Sequence, residues 1–458
     1  MAASASSSSP LHIVMFPWLA FGHMIPFLEL AKRLARRGLA VTFVSTPRNA
    51  ARLGAIPPAL SAHLRVVPLD LPAVDGLPEG AESTADAPPE KVGLLKKAFD
   101  GLAAPFAGFV AEACAAGHGE STPTAAGFSR KPDWIILDFA QNWVWPIAEE
   151  HKIPCAMFSI FPAAMVAFVG PRQENLAHPR TKTEHFMVQP PWIPFPSNVA
   201  YRRRHGAEWI AAVFRPNASG VSDADRFWEM EHACCRLIIH PWTTSTSPWR
   251  CGGSTSSRRD PSSTSRSGAR APLTVGHVRE LALGLELAGV RFLWALRAPP
   301  SASSVNRDKC AADADLLLPD GFRSRVAAAR GGLVCARWVP QLRILAHRAT
   351  GGFLTHCGWS SIFESLRFAL PLVMLPLFAD QGLGVQALPA REIGVEVACN
   401  DDGSFRRDAI AAAVRQVMVE EKGKALSRKA EELRDVLGDE GRQEMYLDEL
   451  VGYLQRYK

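Results

Sequence analysis

Apolar and polar positions along the chain fall into two kinds of block: short solid apolar runs, and longer runs with helical spacing. Residues 11–16 (LHIVMF) are nearly all apolar, the signature of a strand buried on both faces of a parallel sheet. A turn rich in Pro, Gly and His follows. Residues 26–37 then carry Phe27, Leu28, Leu30, Ala31 and Leu34 on one face, which predicts a helix closed by Gly38. Residues 40–45 (AVTFVS) form a second solid run, and strand, helix and strand make a βαβ unit that opens a doubly wound sheet. Solid runs at 64–69, 134–137 and 153–159 continue the series.

The second half repeats the alternation. Val278, Leu281, Ala282, Leu285 and Ala288 line one side of a predicted helix over 275–288. Strands are predicted at 290–296, 332–336, 352–355 and 372–375, and helices at 407–420, 424–437 and 445–457. The pattern predicts an α/β chain of two Rossmann-like doubly wound halves facing one another across a cleft. The halves span 1–240 and 272–458.

Residues 241–271 break the pattern. The stretch 241–270 (PWTTSTSPWRCGGSTSSRRDPSSTSRSGAR) is Ser, Thr, Arg and Gly with almost no apolar residue, the composition of a flexible linker. GC-rich codons for its second part, read one position out of register, encode instead a β-branched strand and a Gly-Ser turn. The second domain is therefore expected to have its first strand missing or disrupted, by a frameshift or a faulty exon join.

Composition narrows the function classes. In 458 residues, 47% are hydrophobic and 21% charged, the balance of a globular protein. The net charge of +6 is spread along the chain, so nucleic acid is not expected as a partner. Nine cysteines show no C-x-x-C spacing, which points to free thiols rather than a zinc site or disulfide framework. The first ten residues lack the basic and apolar regions of a secretory signal. The longest apolar run, 153–170, holds Pro154 and Pro162 and falls short of the roughly 20 residues a spanning helix needs. A cytoplasmic monomer that does not span a membrane is expected.

The chemistry concentrates in residues 338–381 (WVPQLRILAHRATGGFLTHCGWSSIFESLRFALPLVMLPLFADQ). A strand over 352–355 runs into the turn His356-Cys357-Gly358-Trp359-Ser360-Ser361 and a helix over 361–368. Backbone N–H groups and serine hydroxyls at a helix N-terminus favour an anion, and His356 can add a bond to the same phosphate. Trp338 offers a flat face for a base, Glu364 an acceptor for two ribose hydroxyls, and Asp380 with Gln381 a polar pair for a sugar. Taken singly, these residues have ordinary readings: Trp338 as core packing, His23 as a loop histidine, Asp138 as a turn or cap residue. Trp143 and Trp145 read equally as acceptor-pocket lining and as core.

The stretch resembles the signature box of plant family 1 UDP-dependent glycosyltransferases, which have the GT-B fold. The resemblance implies that Trp338 stacks on uracil and Gln341 helps hold the uridine. His356, Gly358, Trp359, Ser360 and Ser361 would bind diphosphate through side chains and turn amides, Glu364 the ribose, and Asp380 and Gln381 the sugar. PWLAFGHMIPFLELAKRL (17–34) resembles the loop and helix that carry the family's catalytic histidine, here His23, and KPDWIILDF (131–139) the strand end that supplies its acid, Asp138. STPRN, GLPEGAEST and LALGLELAGVRFLWALR are similar to the branch that extends sugars on flavonoid or terpenoid glycosides. Two positions depart from the family: Ser360 stands where Asn is usual, and Ala369 where Gly is common, which strains a turn if φ is positive there.

These residues imply inverting transfer of a sugar, glucose or rhamnose, from a UDP-sugar to a hydroxyl of a small lipophilic acceptor or its glycoside. No metal and no cofactor beyond the donor are expected. Two alternatives stand beside this one: a degenerate product that binds UDP weakly or not at all, motivated by 241–271 and Ser360, and a UDP-sugar epimerase.

Overall fold

A computed structural model describes residues 10–115, 128, 130–234, 236–239, 262–266, 273–296, 315–336, 339–378, 380–387 and 390–458. Five solid runs and one strand that the pattern did not predict form the first sheet: β1 (His12–Phe16), β2 (Ala40–Ser45), β3 (Leu64–Pro68), β4 (Trp134–Leu137), β5 (Cys155–Ser159) and the additional β6 (Arg236–Ile239). All pairs are parallel and the order is β3-β2-β1-β4-β5-β6. The order reverses between β1 and β4, the point where doubly wound sheets usually receive a ligand.

The second sheet holds β7 (Ser262–Arg266), β8 (Arg291–Ala295), β9 (Gly332–Cys335), β10 (Thr350–Thr355), β11 (Leu372–Met374) and β12 (Gly394–Glu396). Its order is β12-β11-β10-β7-β8-β9, the same doubly wound sequence counted from β7. The first strand of this half is thus present, between β10 and β8, and lies inside the stretch whose composition predicted a linker. Its residues are SSTSR, and the pairing to β10 shifts register between Thr350 and Gly352. Parallel pairing is a backbone property, so a polar run can occupy the slot without the apolar side chains that mark central strands. The rest of 241–271 lies outside the described residues.

The chain groups into two units, each built from separated segments. One holds Met1–Phe161, Val213–Thr243 and Glu440–Lys458, and the other Pro162–Ala212 and Thr244–Asp439. In the first, Phe16 meets Phe99, Phe106 and Trp143 with ring centroids 5.3 to 6.1 Å apart. Half-buried Trp143 thus packs on this core. Among the described residues, the helical stretch Pro89–Ala115 has the length and mean hydropathy (1.2) of a membrane span. It consists of two helices, Val92–Asp100 and Ala103–Ala115, and buries Phe99, Phe106 and Val110 in this core.

The first helix runs Phe21–Arg36, not from residue 26, so Pro26 is interior and His23 sits in the first turn. Pro26 gives up only the bond its own N–H would make, close enough to the N-terminus to be borne. In the second unit the helix Val275–Ala288 has a Thr274 cap that accepts from the His277 N–H at 3.1 Å. It buries Val278, Leu281, Ala282, Leu285 and Ala288. Burial contributes about 1.5–3 kcal/mol for each Val or Leu among them and about 0.8 kcal/mol for each Ala.

Candidate active site

β1 and β4 are neighbours with Phe16 opposite Leu137, so the turn after one strand faces the residue after the other. That residue is Asp138, which is fully buried. Its Oδ2 accepts from the Trp18 N–H at 3.1 Å, its Oδ1 from the Phe139 N–H at 2.8 Å, and its Oδ2 also from His23 Nδ1 at 2.7 Å. A carboxylate fixed by two backbone amides has one orientation, and it dictates that His23 carries its proton on Nδ1. Nε2 is left with its lone pair, and among the described residues it has no protein partner. Phe139 and Phe161 wall the imidazole at 5.6 and 5.5 Å. Gln141 Nε2 donates to the Phe16 carbonyl at 2.6 Å, and the Thr84 N–H to the Leu19 carbonyl at 2.9 Å, so the turn is held from both sides.

The second constellation lies where the other sheet reverses, after β10. His356 and Cys357 are buried, and Cys357 takes a positive φ of 65°. Its N–H donates to Thr355 Oγ1 at 3.2 Å, which steadies the turn. A Cβ on Gly358 would stand 2.6 Å from His356 Nε2, so only glycine lets the ring lie there. The helix Trp359–Arg367 starts two residues earlier than its sequence pattern implies, with Gly358 as N-cap and no side chain capping it. The Ser361 N–H donates to the Gly358 carbonyl at 2.9 Å, so the first-turn donors available to an anion are the Trp359 and Ser360 N–H groups. Ser361 is buried there and Ser360 is exposed.

Gln341 opens the helix Gln341–Leu345, and its amide Nε2 donates to Glu364 Oε2, so two residues 23 apart in sequence meet. Trp359 packs edge-on against Phe363 with centroids 4.9 Å apart. Gln381 is buried, and its Oε1 accepts from the Leu377 and Phe378 N–H groups at 2.9 and 3.1 Å. Only its amide nitrogen remains for a ligand. Asp380 precedes it and is half-buried. Trp338 lies outside the described residues.

Three residues that the sequence did not single out sit beside this loop: Tyr201, Arg203 and His205. They lie in one polar stretch, YRRRH, with no spacing that marks chemistry, and only the fold brings them to β12 and to Leu377.

Residues 271–429 match the family model described as UDP-glucoronosyl and UDP-glucosyl transferase. UDP-glycosyltransferase 91C1 of Arabidopsis thaliana is 34% identical over 480 residues, covering 97% of this chain and 96% of that protein. Soyasaponin III rhamnosyltransferase of Glycine max is 31% identical over 496 residues, covering 99% and 97%. Among solved structures, Glycyrrhiza uralensis UGT73P12 complexed with glycyrrhetinic acid 3-O-monoglucuronide superposes with a TM-score of 0.71 at 20% identity, over 98% of this chain and 96% of that one. At that identity the likeness speaks for the GT-B fold. With two doubly wound sheets, a half-buried histidine on a buried aspartate at one reversal and an uncapped helix at the other, the chain belongs to the plant family 1 UDP-glycosyltransferases.

Proposed function

We propose that this chain transfers glucose or rhamnose from a UDP-sugar to a hydroxyl of a small lipophilic metabolite or its glycoside, with inversion at the anomeric carbon. The carrying observation is the 2.7 Å bond between His23 Nδ1 and an Asp138 carboxylate that two backbone amides hold. In that arrangement Nε2 takes the acceptor's hydroxyl proton as general base. The acceptor oxygen bonds to the anomeric carbon, and the bond from that carbon to the diphosphate breaks with its electron pair leaving on UDP. Asp138 keeps the tautomer and stabilises the imidazolium that forms. The aromatic walls Phe139 and Phe161 favour an apolar acceptor.

On the donor side, the first turn of the helix Trp359–Arg367, with His356 and Ser361, stabilises the negative charge that grows on the departing diphosphate. Glu364, steadied by Gln341, accepts from ribose hydroxyls, and Trp338 covers the uracil. Asp380 and the amide of Gln381 hold the sugar. A relative named for rhamnosyl transfer and a neighbour that holds a glucuronide support an acceptor already bearing a sugar. The epimerase alternative falls with the family assignment.

His23→Ala is expected to lower turnover by about 10²–10⁴-fold, while calorimetry still detects UDP binding. Asp138→Asn, which upsets the tautomer, is expected to lower turnover with little change in donor binding. Near-normal turnover in His23→Ala would remove the general-base role, and retained anomeric configuration in the product, read by NMR coupling constants, would remove the single displacement.

A further inference from the structure

Residues Pro162–Ala212 group with the second sheet, and their last part touches the loop between β11 and the helix Gln381–Ala387. The Leu377 peptide is gripped at both ends. Its N–H donates to Gln381 Oε1 at 2.9 Å, and its carbonyl accepts from His205 Nε2 at 3.1 Å. A carbonyl can only accept, so Nε2 carries the proton. His205 is itself fixed by its backbone N–H, which donates to the Asp401 carbonyl at 3.0 Å.

Tyr201 closes the same loop from its other end. The side chain is 2% exposed, and its ring lies between two glycines. A Cβ on Gly382 would come within 3.3 Å of Cδ1, and one on Gly206 within 2.7 Å. Burial pushes the phenol well above its ordinary range, and the negative charge of Asp380 adds to the effect, which places that carboxylate nearby. Between these two contacts, Arg203 donates to Glu396 Oε1 at 2.6 Å and to the Val397 carbonyl at 3.3 Å, tying the stretch to the end of β12. Outside the stretch itself, its side-chain contacts fall on residues 377–382 or on the end of β12, its backbone is held at Phe186 and Asp401, and none of these hydrogen bonds reaches the diphosphate turn.

We propose that residues 201–205 are a positioning strap for donor-sugar recognition: His205 and Tyr201 hold the 377–382 loop where Asp380 and Gln381 meet the sugar, so the choice of sugar depends on residues outside the donor motif. The strap rests on the assignment of Asp380 and Gln381 to the sugar. Polar groups that select a sugar must be held to within about 0.5 Å, and the Leu377 peptide is the part of this loop fixed from two sides. The diphosphate turn has its own supports, so loss of the strap is expected to separate sugar binding from nucleotide binding.

Calorimetry of the full chain with UDP, UDP-glucose and UDP-rhamnose provides the test, in the parent and in His205→Ala, Gly382→Ala, His205→Gln and Asp380→Ala. His205→Ala and Gly382→Ala are expected to weaken the preferred UDP-sugar by about tenfold, the scale of one lost hydrogen bond, with UDP itself changed by less than about twofold. His205→Gln keeps a donor that can reach the Leu377 carbonyl and is expected to restore the parent ratio. If Asp380→Ala lowers the sugar preference while the strap variants leave it intact, the strap is overturned and the sugar assignment survives. If Asp380→Ala leaves the ratio unchanged, the sugar assignment fails and the strap fails with it. Equal weakening of UDP and UDP-sugar in the strap variants, or a lowered melting temperature, assigns these residues a structural role only and overturns the proposal.

Discussion

At the scale of single residues, the buried polar group with the largest consequence is one that catalysis does not use. His12 is the polar member of β1 and is fully buried. Its Nδ1 donates to the Arg130 carbonyl at 2.9 Å, so Nε2 accepts from the Thr42 hydroxyl, also at 2.9 Å. Burial pushes the imidazole down to about 4 from 6.5. The fold therefore prefers the neutral ring. This preference stabilises fully above pH 6.5 and is lost as pH falls toward 4, about 3 kcal/mol in all. Urea midpoints measured across that window should fall steeply in the parent and less steeply in His12→Gln; equal slopes would clear His12. Residues of this kind are poorly legible in sequence. His23 and Asp138 were found because a motif frames each one, whereas His12 sits in an apolar run, and Tyr201 and His205 have partners almost two hundred residues away.

At the scale of elements, the solid apolar runs located β1 to β5 and β8 to β11 to within about two residues, because strands buried on both faces have little freedom in composition. β7 was invisible for the converse reason: SSTSR carries no burial signal, and its place is read from pairing with Thr350–Thr355 and Arg291–Ala295. Helix ends were legible only in part. Three helices close with paired backbone bonds around a left-handed residue that is not glycine: Lys152 (φ 52°), Arg330 (φ 48°) and Ala369 (φ 54°). After Val144–Glu150, the Ile153 and Lys152 N–H groups donate to the Ala148 and Glu149 carbonyls at 2.9 and 3.0 Å. A side chain in this region costs about 1–2 kcal/mol, and glycine's extra freedom when unfolded returns about 0.5–1 kcal/mol of that. Lys152 and Arg330 are exposed, so Lys152→Gly and Arg330→Gly should each stabilise by about 0.5–1 kcal/mol in urea unfolding. Ala369 is fully buried, and its lost methyl, worth about 0.8 kcal/mol, should cancel most of the gain there. Destabilisation by both exposed substitutions would mean that the left-handed residues are not strained.

At the scale of the whole molecule, the chain passes between its two units four times, so no single cut separates them. The last passage matters most for stability. The helix Glu440–Arg456 belongs to the first unit, where Leu447 and Leu454 join the core of β1 and the helix Phe21–Arg36. Trp134 Nε1 donates to the Leu454 carbonyl at 2.9 Å, and buried Arg33 donates to Gln443 Oε1 at 3.1 Å. Truncation after Asp439 removes two buried leucines, at about 1.5–3 kcal/mol each, takes Gln443 away from Arg33, and orphans a buried indole N–H, at about 1–3 kcal/mol. Losses of that size approach a typical stability of 5–15 kcal/mol. The residues proposed for the donor, by contrast, all belong to the other unit. UDP bound at a hundred times its Kd adds about 2.7 kcal/mol to whatever binds it. Thermal unfolding of the parent with saturating UDP should therefore show a cooperative transition that rises, an outcome a degenerate product would not give. The truncated chain should lose the transition of the first unit, monitored by hydrogen exchange of the β1 and β4 amides, yet keep a UDP-dependent rise in the second, monitored at the β10 and β11 amides. Loss of both transitions together would mean that the second sheet, with its polar central strand, cannot stand without the first.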